Sequence, residues 1–133
     1  MKLDDLEPLF TLNNVVFHPL SPRHTAVPVN VPHCDLTPYY RDDFDDVAAH
    51  VQALDAVVTI DSAPLHLGGA IGTPVLAMID HISQWAWGTR EQQRWYDSVT
   101  LFRQPSPGEW RPVVERIAAR LSTFVAGGRA RIR

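Results

Sequence analysis

Lysine and cysteine are nearly missing from this chain: Lys2 and Cys34 stand alone among its 133 residues. One cysteine cannot form an internal disulfide, and nothing in the thiol content points to an oxidising compartment. Long apolar runs are missing too, so no segment reads as a membrane span. The start, Met1-Lys2-Leu3-Asp4-Asp5, is acidic where a secretory signal is cationic and then apolar. The expectation is a cytoplasmic protein. Basic charge is sparse: the formal net charge is −3, and the one basic cluster is Arg129, Arg131 and Arg133. That argues against nucleic acid as a partner and for a flexible basic tail over 127–133. Zinc-ligand spacing is absent as well, since His18, His24, His33, His50 and His81 form no such pattern with Cys34. No serine sits in a nucleophile elbow, which leaves a hydrolase reading without support.

What is present suits an ordinary folded domain. Hydrophobic residues make up 45% of the chain and charged residues 20%, which predicts one globular unit over 1–126. Leu3, Leu6, Leu9 and Phe10 have helical spacing. Residues 15–20 read as a short strand ending near Pro19. Four prolines between 21 and 38 predict mostly loop, with a short strand at 27–31. Asp42-Asp43 signals a helix start, and Phe44, Val47, Ala48, Val51 and Leu54 form one apolar face behind it. The acids Asp42, Asp43, Asp45 and Asp46 fit helix capping and a solvated face, not a cation cage. Residues 56–60 and 74–79 read as buried strands, the second apolar throughout as a doubly covered parallel strand requires. Val99 to Phe102 predicts a last strand. Trp110, Val113, Val114, Ile117, Leu121, Phe124 and Val125 define a final amphipathic helix stopped at Gly127-Gly128. Strands alternating with helices predict an α/β fold of the Rossmann-like, doubly wound parallel type.

The join between the first buried strand and the helix after it carries the chemistry. Asp61 and Ser62 end the strand, Pro64 sits in the first helical turn, and His66 lies one turn in. In a doubly wound sheet this is the carboxyl end, where ligands bind. The first-turn N–H groups with the Ser62 hydroxyl suit a phosphate oxygen, and Asp61 suits a sugar hydroxyl. The same residues also describe a simple capped helix, with Asp61 or Ser62 as cap and His66 as a half-exposed polar side chain. Gly68, Gly69, Ala70 and Gly72 lower helix propensity, and close packing of the helix on the sheet is the reason expected for them. Trp85 and Trp87 have two readings, stacking on a nucleobase or packing the long loop onto the final helix.

The run from Leu54 to Val75, with Asp61-Ser62-Ala63-Pro64-Leu65-His66-Leu67-Gly68-Gly69-Ala70-Ile71-Gly72-Thr73-Pro74 at its centre, resembles the signature of heptosyltransferase-type glycosyltransferases. The likeness is closest to the glycosyltransferase domains attached to tetratricopeptide repeats in bacterial proteins. It continues through Trp85-Ala86-Trp87, Arg90, Trp95-Tyr96, Leu101 to Pro105 and Gly108-Glu109-Trp110, and upstream through Leu3 to Leu20 and Asp43-Phe44. The resemblance implies the C-terminal half of a GT-B fold, which binds the nucleotide diphosphate of a sugar donor. It further implies that Asp61 faces the donor sugar, that Ser62, Ala63 and His66 face the diphosphate, and that Asp43, Phe44, Trp85 and Trp87 flank the nucleotide. No cofactor is implied beyond the nucleotide-sugar substrate.

The departures from that pattern shape the expectation. Ser21-Pro22 stands where the family usually has Gln-Lys, which leaves Arg23 as an imperfect substitute for a phosphate-facing lysine. Asp80 replaces a usual proline, and Gln84 an acid before Trp85. The family's first strand, its glycine loop and the acceptor-binding half have no counterpart after Met1. The sequence thus predicts a nucleotide-sugar-binding domain inactive alone, with self-association or a separate N-terminal-half protein as its partner. The alternative is a degenerate domain serving as an assembly module.

Overall fold

The computed structural model describes residues 1–20, 27–28, 30–39, 43–88 and 94–127. Three strands, β1 (Val57–Ile60), β2 (Val75–Ile79) and β3 (Val99–Arg103), form a parallel sheet in the order β1-β2-β3. The register aligns Val57 with Val75 and Val75 with Val99. All five residues of β2 are buried, so it must be covered from both sides, and it is. Leu76 and Met78 face one layer with Phe102 and with Val113, Val114, Ile117 and Leu121 of the last helix, α4 (Arg111–Ala126). Val75, Ala77 and Ile79 face the other layer with Val51 of α2 (Phe44–Ala53) and Leu65 of α3 (Ala63–Ile71). The alternation of a strand's side chains makes these two cores out of one apolar run. The result is an α/β fold with a parallel sheet and flanking helices.

Local chemistry sets the element ends. Asp43 caps α2, its Oδ1 accepting from the Asp46 N–H at 3.0 Å. Gly72 ends α3 at φ +81°, a left-handed turn that a side chain would strain. Thr73, buried behind it, donates its hydroxyl to the Val51 carbonyl at 3.2 Å and ties α2 to the start of β2. Leu3–Leu6 forms a 3-10 turn that continues into α1 (Glu7–Phe10), whose buried Leu9 packs under α4. Among the described residues no helix is long and apolar enough to cross a membrane.

Among the described residues, two expected strands do not form. In the 15–20 stretch only Phe17 pairs, in a single parallel bridge to His33, and the stretch joins no sheet. Pro19 lacks an N–H, and among the described residues no strand pairs with this segment. The described part of 27–31 is irregular, with Val31 N–H turned back to the Pro28 carbonyl at 2.9 Å. Pro28 and Pro32 remove two donors there.

Two measurements follow. Ile117 is fully buried between α4 and the sheet, so Ile117→Ala should lower unfolding free energy by about 2–5 kcal/mol in urea titrations. His50, buried on α2, has its Nε2 3.4 Å from His18 Nδ1. Burial, and then the neighbouring His18, pushes the His50 pKa below its ordinary 6.5. The unfolded chain therefore takes up this proton first, so stability is full above about pH 6.5 and is lost as pH falls below it. His50→Gln should flatten that loss in urea midpoints measured between about pH 7 and pH 5.

Candidate functional site at the end of β1

β1 stops at Ile60 and α3 begins at Ala63. Between them Ser62 takes the extended conformation of a helix cap but makes no side-chain cap bond. Its hydroxyl donates instead to the Ile60 carbonyl at 3.2 Å and sits 3.0 Å from the Thr59 hydroxyl. The expected Ser62 cap is thus one of backbone shape only. The hydroxyl's proton goes to the Ile60 carbonyl, and Thr59, three residues earlier in β1, is its hydroxyl partner. Pro64 in the first turn has no N–H to satisfy.

Asp61 and His66 are held by aromatic groups from beyond β2. The buried Trp87 donates its indole N–H to Asp61 Oδ2 at 2.9 Å. His66 Nδ1 lies 3.1 Å from the Tyr96 hydroxyl, and its ring stands 5.3 Å from Trp87 and 5.9 Å from Tyr96. When Tyr96 donates to Nδ1, the ring proton resides on Nε2, which becomes the outward donor. Gly69 makes room for this: a Cβ there would come within 2.5 Å of Tyr96 Cγ. At Gly68 a Cβ would meet Val75 Cγ2 at 2.6 Å. The glycine run therefore serves two contacts, the sheet at Gly68 as expected and Tyr96 at Gly69.

The loop carrying Trp87 is fastened by Arg103 at the end of β3. Its guanidinium donates to the Asp80 carbonyl at 3.2 Å, to the Ser83 hydroxyl at 2.6 Å and to the Gly88 carbonyl at 2.6 Å. Trp95 adds an indole N–H to the Ala86 carbonyl at 2.9 Å. Nearby, the buried Gln104 accepts from the His81 and Gly108 N–H groups at 3.2 and 3.4 Å. Sequence reasoning did not assign Tyr96 and Arg103 to this site. The tyrosine three residues before the last strand and the arginine ending it were the available signals.

Asp61, Ser62, Ala63, His66 and Trp87 thus come together. Trp87 is only 3% exposed, so it offers no face to a base, and it packs with the α3 layer and not with α4. Trp85, in the same 3-10 turn, is 86% exposed. Phe44 is exposed at the start of α2, and Asp43 is committed to capping that helix. Arg23 lies outside the described residues. Among the described residues no group of three His, Cys, Asp or Glu side chains is placed to hold a metal ion.

The fold and its site define a parallel α/β domain with a polar join at the carboxyl end of β1. Across 84 residues, 63% of this chain, it is 39% identical to Protein FlbA of Caulobacter vibrioides. The match spans 14% of that protein's length, so the chain corresponds to a small part of it. No family model matches the chain, and no solved structure does.

Trp87→Phe removes the donor to Asp61 and leaves the smaller ring in a buried site, which should cost at least about 1.5–3 kcal/mol in urea unfolding. Trp85→Phe, on a solvated ring, should stay within about 0.5 kcal/mol. Equal effects would contradict the assigned roles.

Proposed function

We propose that this chain is a nucleotide-diphosphate-sugar-binding domain of the heptosyltransferase type. The observation that carries the reading is the prior orientation of Asp61 by Trp87 and of His66 by Tyr96 on either side of the first turn of α3. Side chains held this way bind with little ordering cost. In this reading the Ala63 N–H, the Ser62 hydroxyl and His66 take the diphosphate, and Asp61 takes a sugar hydroxyl. Phe44 and Trp85 supply exposed aromatic faces near the base, and Trp87 acts through Asp61. Stabilising a departing diphosphate at the end of α3 is the part such a domain contributes to glycosyl transfer. The acceptor site and a catalytic base belong to another half.

Magnitudes set the expected affinity. A helix N-terminus contributes roughly 0.3–1 kcal/mol to an anion, and ~2 when partly buried. Micromolar binding needs about 8 kcal/mol and millimolar binding about 4. With one lysine in the chain and Ser62 engaged by Ile60 and Thr59, the millimolar range is expected. A second reading, an assembly module built on a degenerate domain, draws on a different observation, the open cavity beside β1.

Calorimetric titration with UDP, ADP and GDP separates the two. At least one nucleotide should bind at roughly millimolar affinity, and His66→Ala should weaken it severalfold. Silence with all three nucleotides removes the sugar-nucleotide reading and leaves the assembly module.

A further inference from the structure

The turn after β2 holds an exposed histidine whose two ring nitrogens are made different by one neighbour. His81 Nδ1 lies 3.2 Å from the Gln104 carbonyl. A carbonyl only accepts, so Nδ1 carries the proton, and in the neutral ring Nε2 is bare. The same neighbour holds the main chain beneath the ring, since Gln104 Oε1 accepts from the His81 N–H at 3.2 Å. Gln104 is itself fixed. Its own N–H donates to the Ile79 carbonyl at 2.9 Å, and its Oε1 also takes the Gly108 N–H at 3.4 Å. The other end of that amide, Nε2, is buried without a hydrogen-bond partner among the described residues. An apolar side chain would fill the space without leaving a buried donor unmet. What the glutamine adds is its hold on His81 and on the 105–108 turn.

The histidine stands at the end of the sheet that already carries the polar join. Ile60 pairs with Met78, so Asp61 lies level with Ile79 and His81 is two residues further out. Doubly wound sheets take their ligands at this carboxyl end. Arg103 closes the intervening loop by holding the Asp80 and Gly88 carbonyls. Trp87, next to Gly88, donates to Asp61. One fastened loop therefore carries His81 at its start and the partner of Asp61 at its close.

We propose that His81 is a further ligand-contacting residue of this site, accepting through Nε2 a hydrogen bond from an O–H or N–H of the nucleoside. This role rests on the nucleotide reading above and gives the ligand a direction. A bare imidazole nitrogen and a phosphate oxygen both present lone pairs and repel, so His81 does not serve the diphosphate. His66 is its complement: with Tyr96 donating to Nδ1, its outward Nε2–H suits a phosphate oxygen. The diphosphate then lies over the start of α3, and the nucleoside extends toward the loop that carries His81 and the exposed Trp85. Ribose hydroxyls and base N–H groups are the donors it brings there. A ring already fastened at Nδ1 loses little freedom on binding.

The test uses the full chain labelled with nitrogen-15, at about pH 8, above the ordinary histidine range. Without nucleotide, NMR should find the His81 proton on Nδ1 and a bare Nε2, and the opposite tautomer overturns the proposal. UDP, ADP and GDP are then titrated, with ring nitrogen shifts read by NMR and affinity by calorimetry on the wild type and His81→Phe. The nucleotide that binds should move the His81 Nε2 signal upfield, as a bare nitrogen moves on accepting a hydrogen bond. His81→Phe, a change at an exposed position, should fold as the wild type does and bind roughly two- to tenfold more weakly. Binding with that signal unmoved, or with the variant's affinity unchanged, overturns the role of His81 and leaves the nucleotide reading standing. Silence with all three nucleotides overturns the nucleotide reading and the role of His81 with it. The 2′,3′-dideoxy form of the nucleotide that binds then locates the donor. A variant no weaker than wild type toward that form assigns it to a ribose hydroxyl, and a variant still weaker assigns it to the base. Both results support the proposal.

Discussion

β2 carries the constraint on which the rest depends. Its five apolar residues are buried on both faces and hydrogen-bonded on both edges. An apolar strand with no solvated side leaves the flanking elements one stable arrangement, a helical layer above and another below. Leu76 and Met78 summon α4, while Val75, Ala77 and Ile79 summon α2 and α3. Each large side chain moved from water into these layers contributes about 1.5–3 kcal/mol. The helices in turn set where strand ends emerge, and hence where Asp61 and His66 stand.

The polar join at the end of β1 depends on residues far along the chain. Trp87 reaches Asp61 from 26 positions away and Tyr96 reaches His66 from 30. Both come from the loop that Arg103 fastens through three carbonyl and hydroxyl acceptors. Gly69 belongs to the same device, because the ring of Tyr96 occupies the space its side chain would fill. The site is a product of the β2–β3 connection as much as of β1 and α3. The edge of β1 shows the reverse situation: its inner side is matched by β2, and among the described residues its outer side pairs with no strand and borders a cavity.

Much of this was legible. The apolar run of β2, the amphipathic face of α4 and the Asp43 cap follow from local patterns, and each forms within a residue or two of expectation. Asp61, Ser62 and His66 were placed together because they lie within one strand–helix join. Ser62 is the N-cap residue, as one of the two expected, but its hydroxyl donates to the Ile60 carbonyl and accepts from no first-turn N–H, a difference the shared backbone shape does not reveal. The 15–20 stretch has strand composition, yet a strand exists only where a neighbour supplies a ladder. Among the described residues His33 alone does so. For Trp87, composition did not distinguish a stacking face from a buried donor, because an indole suits both.

By itself the sequence determined the order of helices and strands from α2 onward, the doubly covered centre of the sheet and the position of the polar join, because these arise from periodicity and caps within a dozen residues. Tertiary structure alone decided that Trp87 is buried under Asp61, that Tyr96 lies on Gly69, and that β1 borders a cavity. Those outcomes depend on which distant groups meet, and a hydrogen-bond donor or a missing neighbour leaves no mark on the local pattern that it completes or leaves open.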